Sequence, residues 1–145
     1  MAAQIGKIGC AMNTFFNKRI KGFTIIELMI VLVIVAILVA LAYPSYIQYV
    51  RKSKRGEAQQ LLLNWSINQE IYRSNNPTYA GPGDLPAPTN DHYTFGTVGD
   101  PTATAYVLQA DAGGDQASDR AKDGSSCEVL SLDQNGVKLP AACWD

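Results

Sequence analysis

The chain has 145 residues and a formal net charge of −1, enough for one domain of modest size. The charge is uneven: residues 1–22 contain four bases and no acid, whereas residues 56–145 contain 12 acids and 4 bases, a net charge of −8. Such an acidic segment does not attract nucleic acid or anionic lipid without local basic patches, so net charge predicts no nucleic acid binding.

Residues 1–22 form a basic leader. A secretory signal peptide places its cleavage site after an apolar core, whereas here the candidate cut after Gly22 precedes the apolar run. Cleavage there would keep the apolar segment on the mature protein and remove Cys10. Met12 begins a shorter basic leader that would suffice alone, so we favour Met12 over Met1 as the translation start.

Residues 23–43 form an apolar segment of about 31 Å as an α-helix, which matches a hydrocarbon core of about 30 Å. A plain membrane anchor is the simplest interpretation. Glu27 argues against it, because a charge at membrane depth costs about 2.5–3.5 kcal/mol. Cleavage after Gly22 would place a new cationic amine on Phe23, one helical turn from this carboxylate. Pro44 ends the apolar run while the helical pattern continues, which predicts a kink.

At this point the sequence resembles a known family. The stretch KGFTIIELMIVLVIVAILVALAYPSY, residues 21–46, is similar to the class III signal and N-terminal helix of type IV prepilins. The resemblance rests on Gly22 before the cut, Phe23 as the first mature residue, Glu27 as the fifth, and Pro44 at the kink. The stretch RKSKRGEAQ and the terminal CW are further similar to PilE-like pilins, several of which are minor subunits.

The resemblance implies a processing and assembly route. A prepilin peptidase would cleave between Gly22 and Phe23 and methylate the Phe23 amine. Before assembly the subunit would reside in the inner membrane, with one membrane-spanning helix and its C-terminal head in the periplasm. The pilus assembly machinery would then add it to other pilin subunits in a cell-surface fibre. Glu27 would pair with the Phe23 amine of an adjacent subunit and set its register, since an unpaired charge in low dielectric is costly.

Residues 44–74 continue as an amphipathic helix. Apolar residues recur mostly three or four positions apart, which indicates one buried helical face against a sheet, or alternatively a partner-binding seam. We expect one helix from about Phe23 to about Arg73, ended by the SNNP stretch. The predicted face consists of Tyr43, Ile47, Val50, Ala58, Leu61, Trp65 and Tyr72.

Residues 75–145 form the globular head. Proline and glycine density predicts a long ordered loop over 75–92. The helix and the strands given below predict an α+β fold. The resemblance implies the type IV pilin fold, a long N-terminal helix packed on a small antiparallel sheet with a C-terminal disulfide loop. Strands are predicted at residues 93–98, 105–110, 127–132 and 137–139, with a polar loop over 111–124.

The stretch LDQNGVK, residues 132–138, predicts a hairpin with a three-residue loop and Gly136 in the left-handed conformation. Asp133 then faces Val137, so partner numbers sum to 270. Cys127 and Cys143 obey the same sum and are the plausible disulfide pair, which requires an oxidising compartment. Closing this loop contributes about 3 kcal/mol.

Other chemical signals are weak. His92 is the only histidine and has no cysteine nearby, so we expect neither zinc nor a catalytic base. The acidic stretch 111–119 lacks the terminal glutamate of a strong calcium motif, and a solvated loop is favoured. We predict no catalytic residue, metal or cofactor, and no enzyme.

The functional interpretation is a structural subunit of a type IV pilus serving motility, adhesion or DNA uptake. The alternative is a pseudopilin of a type II secretion system, whose main subunit typically stabilises its C-terminal loop with calcium rather than a disulfide. A membrane-anchored enzyme or periplasmic binding domain would need a pocket that the sequence does not indicate. Flanking bases leave orientation undecided, with three before the apolar segment (Lys18, Arg19, Lys21) and four after it (Arg51, Lys52, Lys54, Arg55).

Overall fold

The computed structural model of the chain describes residues 22–144, and the leader predictions at residues 1–21 lie outside this range. The described chain divides after Leu38 into two units. The first holds the N-terminal part of helix α1. The second holds the rest of α1 and the head.

Helix α1 runs over Ile25–Asn75. It begins two residues later than predicted, because Thr24 caps it, and it ends two residues later than predicted. The side-chain amide of Asn75 donates to the carbonyl oxygen of Ile71 at 3.2 Å, and that of Asn76 donates to the carbonyl oxygen of Tyr72 at 2.8 Å. These side chains supply donors to carbonyls that lack helical partners at a C-terminus, so the helix continues into the SNNP stretch.

Pro44 lies inside α1. Its ring nitrogen has no hydrogen to donate to the carbonyl of Ala40, so this turn lacks one backbone hydrogen bond. The predicted kink remains a prediction.

The head contains four strands in the order β1-β2-β3-β4, all antiparallel. They are β1 (Tyr93–Thr97), β2 (Val107–Ala112), β3 (Val129–Asp133) and β4 (Lys138–Leu139). The predicted loop over residues 75–92 contains no helix after Asn75 and no strand within the described chain. The predicted polar loop over 111–124 is partly wrong, because β2 extends to Ala112 and a 3-10 helix spans Gly114–Ser118.

The core lies between α1 and the sheet. The helix contributes Ala58, Leu62 and Trp65, all at most 5% exposed. The sheet contributes side chains at alternate positions of its three longer strands, as expected for one face of a sheet. These residues are Tyr93, Phe95, Leu108, Ala110, Leu130 and Leu132.

The predicted apolar face of the helix is only partly correct. Ala58 and Trp65 are buried as predicted, but Tyr43 is 62% exposed. The buried face also includes two polar residues that were not predicted, Arg55 and Gln69. Apolar periodicity could not show that polar residues occupy the buried face. Arg55 and Gln69 are stable there because they donate hydrogen bonds to the Asp119 carboxylate and the Ala80 carbonyl of the head.

The C-terminal hairpin follows the predicted register. Ser131 pairs with Leu139 and Leu132 with Lys138, so partners sum to 270, and Gly136 has φ +75°. The ladder ends at Leu139, so the predicted strand pairing of Cys127 with Cys143 is wrong. Cys143 lies instead in a short 3-10 helix, Ala141–Cys143.

The predicted disulfide is present. Cys127 and Cys143 are joined with a Cα–Cα distance of 5.6 Å, and both are fully buried. The bridge ties the end of the segment between β2 and β3 to the C-terminus.

Candidate functional site

The N-terminus of α1 carries a capping arrangement around Glu27. The Glu27 backbone N–H donates to Thr24 Oγ1 at 3.2 Å, and the Leu28 N–H donates to the Thr24 carbonyl at 3.2 Å. Thr24 and Glu27 are three residues apart and fit the sequence pattern of a capping box. Thr24 was not among the predicted site residues, although the Thr-x-x-Glu pattern indicates this cap.

Glu27 and Phe23 are both exposed at this end of the helix. Gly22 precedes them, exposed and outside any helix or strand. Within residues 22–144 the structure describes no ion pair of Glu27. Its carboxylate lies in the first turn, where a negative charge interacts favourably with the helix dipole.

The apolar part of α1 lacks partners in the described chain. Large apolar side chains from Phe23 to Leu41 are 49 to 81% exposed. The helix is long and apolar enough to cross a membrane, with a mean hydropathy of 3.2 over its most apolar 18 residues, none of them buried. So large an exposed apolar surface requires lipid or other helices as its environment.

A basic cleft lies where α1 meets the segment after β2. It encloses about 380 Å³. Its walls are the helix between Gln48 and Arg55, the segment Arg120–Asp123, and Ala142 beside the disulfide. The charged side chains in its lining are Lys52, Arg55, Arg120, Lys122 and Asp123.

One of these bases is neutralised inside the protein. Arg55 Nη1 donates to Asp119 Oδ2 at 2.7 Å, and both side chains are at most 5% exposed. Gln116 completes the arrangement: its side-chain amide donates to the Arg51 carbonyl and to the Tyr93 hydroxyl, each at 3.0 Å. This buried network attaches the segment that carries Arg120 and Lys122 to the helix.

The remaining charges of the cleft are exposed. Lys52, Arg120 and Lys122 are cationic, and Asp123 is anionic. The Ser125 backbone N–H donates to Asp123 Oδ1 at 2.9 Å, which holds the pKa of Asp123 below its usual value. Three cations and one anion leave the cleft with a local charge of about +2, opposite in sign to the head as a whole.

Three tyrosines of the head have raised pKa values. Loss of solvation on burial is the main cause at Tyr79, Tyr93 and Tyr106, and it raises the pKa of Tyr106 to about 12. Tyr79 and Tyr106 pack edge to face with ring centroids 4.7 Å apart. These phenols belong to the core and its margin rather than to the cleft.

No group of three or more metal-ligating side chains is present in residues 22–144. His92 lies in a loop before β1, where its backbone N–H donates to Asn90 Oδ1 and its carbonyl accepts from Gly113. Asp119, at the end of the acidic stretch over 111–119, forms the ion pair with Arg55.

The predicted site residues lie in three places. Gly22, Phe23 and Glu27 lie at the start of α1, Pro44 lies within that helix, and Cys127 and Cys143 lie in the head. The cleft could not be predicted from the sequence, because it joins bases almost 70 positions apart along the chain.

Comparisons with known proteins agree with this architecture. A family profile described as "Type IV minor pilin ComP, DNA uptake sequence receptor" matches residues 44–131, and the prokaryotic N-terminal methylation motif matches residues 17–43. The fimbrial protein EcpC of Eikenella corrodens is 32% identical over 137 residues, which cover 85% of this chain and 90% of EcpC.

Other relatives match over shorter stretches. The type IV major pilin PilA of Myxococcus xanthus is 42% identical over 65 residues, covering 45% of this chain and 30% of PilA. The chain spans about a third of the length of the first two curated relatives it matches. A type IV pilin structure from Shewanella oneidensis superposes with a TM-score of 0.53 at 26% identity, covering 66% of this chain and 98% of that one.

These matches are to pilus subunits rather than enzymes, and they do not favour the pseudopilin alternative. The first profile covers more than half of the chain, and EcpC aligns over most of both sequences. The chain therefore belongs to the type IV pilins, in the family described as type IV minor pilin ComP, DNA uptake sequence receptor.

Proposed function

We propose that this chain is a type IV pilus subunit that serves DNA uptake. The observation that carries the proposal is the match of the DNA uptake sequence receptor family to residues 44–131, which include most of the head. Among the three roles expected of a pilus, this match favours uptake over motility and adhesion. Net charge predicts little attraction to DNA, so any direct contact depends on local groups of the head.

A deletion in the native host tests the role. We expect transformation by added DNA to fall by orders of magnitude while the amount of sheared fibre protein stays unchanged. A copy of the gene supplied in trans is the control. Normal transformation without the gene would overturn the uptake role, and loss of fibres as well would instead make the chain a main structural subunit.

Direct contact with DNA is tested separately. Full-length protein in lipid nanodiscs is titrated with a duplex oligonucleotide at several salt concentrations. The logarithm of the affinity falls with the logarithm of the salt concentration with a slope of about −0.9 per phosphate contacted. The slope therefore gives the number of phosphates that lysine and arginine side chains contact. Absence of binding at low salt would overturn the receptor role and leave the role in the fibre intact.

We also propose the processing route that the N-terminus indicates. A prepilin peptidase cleaves between Gly22 and Phe23, the Phe23 amine is methylated, and Glu27 pairs with that amine on a neighbouring subunit. The methylation motif over residues 17–43 supports this route. The intact mass of subunits from sheared fibres checks it: a chain starting at methylated Phe23 is expected, and an unmodified start elsewhere would refute it.

The anchored subunit carries its head on the periplasmic side before the assembly machinery transfers it to the fibre. The disulfide supports this placement, because disulfides persist in oxidising compartments.

A further inference from the structure

The basic cleft lies close to the expected membrane boundary. The apolar segment ends at Tyr43, and the helical wall of the cleft begins at Gln48. At 1.5 Å per residue, Gln48 lies about 8 Å and Lys52 about 14 Å beyond Tyr43 along the helix. The headgroup layer extends about 5–8 Å beyond the hydrocarbon. Side chains on an α-helix tilt towards its N-terminus, so the long side chain of Lys52 can reach back towards the bilayer.

Tyrosines mark the same boundary. Tyr43, Tyr46 and Tyr49 are 62, 63 and 74% exposed. A spacing of three residues turns each ring by about 60° from the previous one, so the rings spread over about 120° of the helix surface. Such a spread suits lipid on several sides better than a single partner helix. Tyrosine is enriched at this level of membranes, because its ring is apolar and its hydroxyl is polar.

The charges of the cleft suit a single phosphate group. Lys52, Arg120 and Lys122 are exposed cations on two different segments, and the Arg55–Asp119 network fixes those segments against each other. Tyr49 forms part of the same wall. A volume of about 380 Å³ accommodates one headgroup. Duplex DNA presents a row of phosphates instead, of which a cleft of this size would hold one.

We propose that this cleft holds the phosphate of an anionic phospholipid while the subunit resides in the membrane. Lysine and arginine bind phosphate through charge-assisted hydrogen bonds. The site is a docking surface for the leaflet that faces the head, and transfer of the subunit into the fibre breaks the contact.

The test uses full-length protein in phosphatidylcholine nanodiscs that contain increasing amounts of phosphatidylglycerol, with bound lipid measured by native mass spectrometry. We expect the wild type to retain phosphatidylglycerol in preference to phosphatidylcholine. Lys52→Gln, Arg120→Gln and Lys122→Gln should each weaken this preference by about fivefold. Non-reducing digests and circular dichroism confirm that the disulfide and the fold of each variant are intact.

Lys54→Gln is the matched control, because Lys54 lies on the same helix at the same level but does not line the cleft. We expect it to change the preference by less than twofold. Equal weakening by Lys54→Gln would show that diffuse surface charge, rather than the cleft, attracts the lipid. That result, or a wild type without preference for phosphatidylglycerol, would overturn the proposal.

A second arm adds a duplex oligonucleotide to the same nanodiscs. If Arg120→Gln and Lys122→Gln lose DNA binding but keep the lipid preference, the cleft belongs to DNA and the lipid proposal is wrong. A wild type that binds lipid but not DNA would contradict the receptor role alone and support the lipid proposal.

Discussion

Glu27 combines two physical roles in one residue. Its backbone N–H is capped by Thr24, and its carboxylate places a charge in the first turn of a helix that is otherwise apolar. The cap is a contact within one helix. The carboxylate has no cationic partner within the described residues, so we expect its partner to come from another subunit. The two roles can be separated by substitution.

Glu27→Gln removes the charge but keeps a side chain that suits the capping pattern. Membrane insertion should be preserved or improved, whereas fibre incorporation should fall, because a neighbour's Phe23 amine would be buried unpaired at a cost of about 3–5 kcal/mol. The measurement is sheared-fibre protein relative to the membrane pool.

Thr24→Ala is the matched control for the capping role. It keeps the charge and loses only the cap, a cost of about 1 kcal/mol to the helix N-terminus. Normal incorporation of the Gln variant would mean that Glu27 does not set register. Loss of incorporation in Thr24→Ala as well would show that the cap contributes to assembly alongside the charge.

Among the elements, the long helix and the C-terminal hairpin could be predicted, and the connection between β2 and β3 could not. Apolar length and periodicity identified α1, and Gly136 identified the hairpin loop, because both signals are local. The buried position of Arg55 depends on Asp119, 64 residues later, and no local pattern of either residue indicates the other. For the same reason the cleft was not predicted.

The Arg55–Asp119 pair attaches that connection to α1. Asp119→Ala would leave a buried, unpaired guanidinium and should destabilise the head by about 3–5 kcal/mol. The double variant Arg55→Met with Asp119→Leu should recover most of this loss, because it buries no charge. Thermal unfolding of the full chain in mild detergent, followed by circular dichroism, measures both. If Asp119→Ala is as stable as wild type, the ion pair has no structural role.

The disulfide closes a loop with a sequence separation of 16 residues. Replacing both Cys127 and Cys143 by Ser should lower head stability by about 3 kcal/mol, since the unfolded chain regains loop entropy. Faster proteolysis of the head in the variant checks this prediction, with the wild type under the same non-reducing conditions as the control. Two free thiols in protein from the native compartment would refute it.

For the whole molecule, the buried tyrosines predict how stability depends on pH. The Tyr106 pKa of about 12 in the fold lies above its value of about 10 in the unfolded chain. The fold favours the neutral phenol. The stabilisation that Tyr106 gives the folded state is therefore complete below pH 10 and declines between pH 10 and about 12. Unfolding against pH, with phenolate absorbance, measures this window. Tyr106→Phe should flatten the decline, and ionisation of Tyr106 near pH 10 would contradict the prediction.

Charge at the scale of the whole chain also bears on orientation. Orientation follows the count of flanking lysines and arginines rather than net charge, so the Arg55–Asp119 pair leaves the balance at four bases after the apolar segment and three before it. The disulfide, which persists in an oxidising compartment, is what favours a periplasmic head. We expect an added protease to digest the head in spheroplasts. Protection of the head there, with digestion only after lysis, would place it in the cytoplasm.

Pro44 has a consequence for mechanics. A load along α1 is carried by its hydrogen-bonded turns in series, and the turn between Ala40 and Pro44 lacks one bond. That turn should lengthen first when a fibre is pulled. This weaker turn lies between the apolar part of α1 and the part that packs against the sheet. We therefore expect tension to stretch the helix there before it disturbs the sheet.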